Sequence, residues 1–271
     1  MQKIEKPKII YKYESFNTRS LENLKAQSVY FGSPLDFNDP YDCAITAGIK
    51  APTDEEIEQV RQEYVKRNDI APKAKQEFIH FSIQQLGEMF VRIAKETFFK
   101  AKNDFLKNNG VTCFSERNDD LLMWAHYGGG YKGFCLEFST DDKLFDKMKK
   151  VRYCSYMPKV DLVSVLLNHD WDQILNDLFC TKSIAWEYEK EWRSMHKEAG
   201  TLFGYEAKTL KAIYFGPDIG RQSMEIICLI LGGQNPDVKF WRGIRSEDEF
   251  KVVFEQFTYT PYIKAKELGL R

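Results

Sequence analysis

From Gly110 onward the chain repeatedly offers strand-like runs, "GVTCFS", "KGFCLEF", "VRYCSY", "EKEWRSM", "LKAIYFG" and "KVVFEQF", with no helix of regular size after each of them. Neighbouring parallel strands need a crossover of a dozen or more residues, usually a helix, so this spacing argues against a doubly wound or barrel α/β fold. It predicts a mixed, largely antiparallel α+β fold. Helical patterns interrupt the strands at "DDLLMWAHYG", "DLVSVLLNHDWDQILNDLFC" and "IGRQSMEIICLILGG".

Upstream, residues 9 to 49 read as short strands in "KIIYKYESF" and "QSVYFGSPLDFNDPYDC", with "LENLKA" a brief helix between them. Residues 53 to 109 read as helical. Thr53 and Glu56 have the spacing of a capping box, and Pro72 suits the first turn of a second helix running through "FIHFSIQQLGEMFVRIAKETFF". Strand signals resume at Gly110, so the expected organisation is a single domain over 1–271. Its core comes from residues 9 to 49 and 110 to 260, with a helical insertion at about 53–109.

Composition narrows the function classes. The 271 residues carry a net charge of -1, which provides no global attraction for nucleic acid or an acidic membrane. The longest apolar stretch, "IICLILGG", is too short to cross a bilayer, and "MQKIEKPKII" does not read as a secretory signal. Six scattered cysteines without a C-x-x-C pair suit reduced thiols and a cytoplasmic location. The phosphate loop, the dinucleotide fingerprint, H-E-x-x-H and G-x-S-x-G are all missing. With four histidines far apart in sequence, no histidine-rich metal site is expected.

Three stretches keep polar groups at strand ends. In "FGSPLDFNDPYD", Ser33 and Asn38 precede proline turns, and either serves the turn or faces a ligand. In "VTCFSERNDDLLMWAHYGGG", Ser115 ends a strand and Arg117 follows in the turn. Trp124, His126 and Tyr127 then stand before three glycines. These aromatic residues are either core packing or the wall of a pocket that needs close backbone approach. In "IAWEYEKEWRSM", a strand would place Glu187, Glu189 and Glu191 on one face, where like charges repel unless a cation or ligand intervenes.

The ordered motifs "YKYESF", "VYFGSPLDFNDPYDC", "VTCFSERNDDLLMWAHYGGGYKGFCLEF" and "WEYEKEWR" resemble an uncharacterised bacterial domain family found in phage-defence gene neighbourhoods. More distantly, the order of an aromatic first strand, a serine-ended strand before an aromatic helix and a late glutamate is similar to the ADP-ribosyltransferase superfamily, particularly its toxin branches. That resemblance implies an ADP-ribosyltransferase-like β core with NAD as substrate, and a protein or nucleic-acid acceptor. By the same resemblance Glu191 is the catalytic glutamate, Glu189 its partner and Tyr127 the ring that stacks on nicotinamide. Tyr11 or Tyr13 holds the ribose, while Ser33, Asn38, Ser115, Arg117, Trp124 and His126 are binding candidates. Arg117 or Lys12 is the expected holder of the pyrophosphate. Two other readings stand beside it: a non-catalytic module that senses a nucleotide-like ligand or a protein, and a nuclease whose glutamates 187, 189 and 191 hold a divalent metal.

Overall fold

The computed structural model describes residues 5–44, 48–161, 163, 167 and 178–270. In chain order the elements are β1 (Ile9–Glu14), α1 (Thr18–Lys25), β2 (Ser28–Phe31), β3 (Gly48–Lys50), α2 (Asp54–Lys66), α3 (Pro72–His80) and α4 (Ile83–Asn108). Then come β4 (Gly110–Ser115), α5 (Leu121–His126), β5 (Phe134–Ser139), β6 (Lys149–Lys150), β7 (Arg152–Cys154), β8 (Lys159–Asp161), β9 (Thr181–Ser183) and β10 (Glu191–His196). The chain ends with β11 (Thr201–Gly204), β12 (Leu210–Phe215), α6 (Arg221–Gly232), β13 (Lys239–Arg245), β14 (Val252–Phe257) and α7 (Tyr262–Glu267). The helix expected across 161 to 180, with His169, lies largely outside the described residues.

The chain divides into two compact units, one of residues 1–33, 110–151 and 185–271, the other of 34–109 and 152–184. The first holds an eight-stranded sheet in the order β14-β13-β12-β5-β1-β4-β10-β6. Every neighbouring pair in it is antiparallel except β12 and β13, whose parallel pairing is bridged by α6. The fold is therefore mixed α+β with a largely antiparallel sheet. Side chains alternate across a strand, and the register sorts them into two faces. One face carries Ile10, Phe114, Phe134, Phe138, Ile213 and Phe215, buried with Leu24 of α1 and Ile227 and Leu231 of α6. The other carries Tyr11, Tyr13, Cys135 and Tyr214, packed with Met123 and Trp124 of α5.

The second unit contains the expected helices in a different form. The periodic run after Pro72 is two helices, because Ser82 caps a new start: its hydroxyl accepts from the Gln85 N–H and the Gln85 side chain accepts from the Ser82 N–H. That reciprocal pair satisfies two of the donors a helix start leaves bare, which favours a break at Phe81 over continuation. Ile57, Phe78, Leu86 and Phe90 form the core beneath α2, α3 and α4. Residues 34 to 49 group with these helices rather than with the large sheet, since β3 pairs β8 in a separate two-stranded ladder. The core strands expected from 9 to 49 thus end at Phe31.

Candidate functional site

The register of the large sheet places three distant residues side by side. Tyr11 of β1 is opposite Ser115 of β4, and Ser115 is opposite Glu191 of β10. All three lie on the Trp124 face, in one row across adjacent strands, with Tyr11 and Glu191 roughly 10 Å apart at two strand spacings. Tyr13 is two residues further along the same face, but buried, its hydroxyl donating to the Arg117 carbonyl at 3.0 Å.

The segment before β10 is not the strand its alternation predicts. Ile184–Glu189 is a 3-10 turn, and Lys190 takes a φ of +44° before β10 begins. Glu187, Glu189 and Glu191 therefore do not share a face. Glu187 is exposed and pairs with Lys190 at 3.0 Å, while Glu189 and Glu191 are each only 3% exposed. The repulsion expected of three aligned acids is relieved by separation, and each acid acquires its own donor.

Glu189 is held on two sides. Its carboxylate accepts the Tyr127 hydroxyl at 2.6 Å, and its backbone carbonyl accepts the Ser115 hydroxyl at 2.7 Å. Ser115 in turn accepts the Arg117 N–H at 3.1 Å, so one buried hydroxyl ties the end of β4 to the glutamate segment. Glu191 accepts from Arg193 through both oxygens, at 2.6 and 2.9 Å, with the guanidinium wholly buried. Beside them burial pushes the Cys113 thiol well up, with the Glu191 charge adding to the effect, so this thiol stays protonated.

α5 is set by Asp120, whose side chain caps the N–H groups of Leu122 and Met123. Trp124 has no exposed surface. Its ring meets Tyr13 edge-on at 5.1 Å and its indole N–H donates to the Asn118 carbonyl at 2.7 Å. It is a core residue with no face to offer a ligand, which corrects the binding role expected of it. Of the glycines after it, Gly128 serves the same packing. A Cβ at Gly128 would sit 2.6 Å from the Trp124 ring, and Gly129 has a φ of +59° that a side chain disfavours. Tyr127 keeps part of its ring exposed, and His126 is exposed with Nδ1 sharing a 2.8 Å hydrogen bond with the Tyr188 hydroxyl. Trp186 and Tyr188 lie against the same imidazole.

The remaining expected residues fall elsewhere. Arg117 is exposed and pairs with Asp119 at 2.9 Å. Lys12 alternates with Tyr11 onto the opposite face, over Phe114, so it does not serve a ligand on the row. Ser33 is half-buried just after β2, and Asn38 is exposed in the second unit. Among the described residues no three His, Cys, Asp or Glu side chains converge in a way that could hold a metal ion. Arg193, which the sequence offers with Lys190 as an ordinary ion-pair partner on a solvated strand face, is instead wholly buried against Glu191, two residues away on the same face. Sequence reasoning missed Glu137, next to Tyr11 in the same row.

Fold and site together define a mixed, largely antiparallel α+β protein with a tyrosine, a serine and a charge-paired glutamate aligned across three strands. Residues 123–194 match the sequence model of a family described as "protein of unknown function (DUF2971)". The matched stretch begins in α5 and ends in β10, so it includes Trp124, Tyr127, Glu189, Glu191 and Arg193. No curated protein and no solved structure matched the chain. Among the described residues no helix is long and apolar enough to cross a membrane.

Proposed function

We propose that the row Tyr11, Ser115 and Glu191 binds NAD and breaks its bond between nicotinamide and ribose, as an ADP-ribosyltransferase or NAD glycohydrolase of bacterial defence or toxin biology. The observation that carries this reading is the register: three residues from remote parts of the sequence, singled out by one resemblance, occupy adjacent positions on one sheet face. In the reaction the C–N bond breaks and its electron pair returns to the ring nitrogen, so nicotinamide leaves neutral. The ribose carbon becomes oxocarbenium-like until water or an acceptor attacks it and loses a proton. A fixed carboxylate stabilises that positive carbon. Glu191 supplies the charge, held in place by two hydrogen bonds from Arg193. Glu189 orients Tyr127, and Tyr127 with Tyr11 of the row, both keeping exposed surface, meet the substrate first.

A second reading draws on the burial of both acids. With each carboxylate already engaged, the same aromatic surface would suit a sensor that binds a nucleotide-like ligand without turnover. The deciding experiment incubates purified protein with labelled NAD, alone and with cell lysate, and follows nicotinamide release and label transfer. Wild type, Glu191→Gln and Glu189→Gln are compared after circular dichroism has shown that each is folded. Release by wild type and a loss of roughly a hundredfold in Glu191→Gln is expected. Binding without release selects the sensor, and neither binding nor release removes NAD.

A further inference from the structure

The row does not stop at Tyr11. Its next member is Glu137 of β5, opposite Tyr11 in the ladder. Glu137 is half-buried and accepts the Tyr214 hydroxyl at 2.6 Å. Tyr11 lies opposite it in the ladder, and burial together with the Glu137 charge pushes both tyrosines well above their ordinary range. Among the described residues this carboxylate has no ion pair, in contrast to Glu191, Glu187 and Glu116, which pair with Arg193, Lys190 and Lys150. The nearest cation along the row is Lys239, exposed on β13 and separated from Glu137 by Ala212 of β12.

The surroundings are aromatic. Tyr11 meets Tyr214 edge-on at 6.0 Å, Trp241 stacks on Tyr214 at 5.8 Å with ring planes 13° apart, and Phe254 closes on Tyr214 at 4.8 Å. Tyr11, Trp241 and Phe254 each keep partly exposed surface. A carboxylate beside aromatic faces is the combination that recognises organic cations: ring faces attract positive charge, and an anion receives the charged N–H donors. The Tyr214 hydroxyl occupies only part of the carboxylate's acceptor capacity, which is about four lone pairs.

We propose that Glu137, with Tyr11, Tyr214 and Trp241, forms a site for the guanidinium or ammonium group of a ligand, beside the Tyr11, Ser115 and Glu191 row. The site shares Tyr11 with the NAD reading, but it is argued from Glu137 and its aromatic neighbours, and its test contains no NAD. Calorimetry at low salt with the full chain would compare three probes: agmatine, the peptide acetyl-Gly-Arg-Gly-amide, and the same peptide with neutral citrulline in place of arginine. Wild type should bind at least one cationic probe tenfold or more tighter than the citrulline peptide. Stronger agmatine binding assigns the site to a free small cation, and stronger peptide binding to a protein side chain. Glu137→Gln, whose amide oxygen still accepts the Tyr214 hydroxyl, should abolish the preference. Equal or absent binding of charged and neutral probes by wild type overturns the proposal without recourse to a variant, as does an undiminished preference in a folded Glu137→Gln.

Discussion

Replacing Glu191 by Gln is a test of stability as well as of chemistry. Arg193 is wholly buried and Glu191 nearly so, and the guanidinium contacts both carboxylate oxygens. Removing one charge from such a buried pair costs about 3–5 kcal/mol. Gln retains one acceptor, so the lower end, about 3 kcal/mol, applies. With a urea slope of about 3 kcal/mol/M, the upper end for small proteins, the midpoint should fall by about 1 M. The double variant Glu191→Leu with Arg193→Met should recover most of that loss, because an apolar replacement of the whole pair is nearly neutral. Glu187→Gln, which touches only an exposed pair, should stay within about 0.5 kcal/mol of wild type. Equilibrium urea unfolding at pH 7 measures all three. If Glu191→Gln matches wild type within about 0.5 kcal/mol, Arg193 does not depend on Glu191 and the buried pair is not a unit. Activity comparisons therefore need protein whose folding has been shown.

Gly128→Ala forces a Cβ to within 2.6 Å of the Trp124 ring and 2.9 Å of its carbonyl, so overpacking should cost about 1–3 kcal/mol, read as a lower thermal midpoint. Of the six cysteines, Cys154 should be alkylated first by iodoacetamide in the native protein: Cys43, Cys135, Cys180 and Cys228 are buried, burial raises Cys228 to about 12, and Cys113 is also pushed up. Peptide mass spectrometry at short labelling times reads the order. Burial works against the charge on Glu116, but hydrogen bonds from Lys150 and Trp192 outweigh it and hold the carboxyl below its ordinary value of 4.5. A lowered folded pKa means the unfolded chain takes up the proton first, so this stabilisation is present above 4.5 and is lost as pH falls through the lowered value. Glu116→Gln should flatten the acid limb of the stability profile below pH 4.5, measured by urea midpoints across pH.

Local signals in the sequence determined most of the elements. The alternating runs at Ile9–Glu14, Gly110–Ser115, Phe134–Ser139, Leu210–Phe215 and Val252–Phe257 became strands, and Thr53 with Glu56 capped α2, because periodicity and capping act within a few residues. The mixed, largely antiparallel class followed from the spacing between those runs. Two local conflicts went the other way. Ser82 broke a helix that periodicity alone would continue, and a positive φ at Lys190 turned a predicted strand face into a 3-10 turn with each acid separately partnered. The site itself was decided by pairing. Strand order and register bring Tyr11, Ser115, Glu191 and Glu137 into one row, and long-range pairing of this kind depends on the combined fit of whole faces rather than on any one segment. Whether an aromatic residue packs the core, as Trp124 does, or keeps a surface, as Tyr127 does, likewise depends on what covers it, and only the folded sheet settles that.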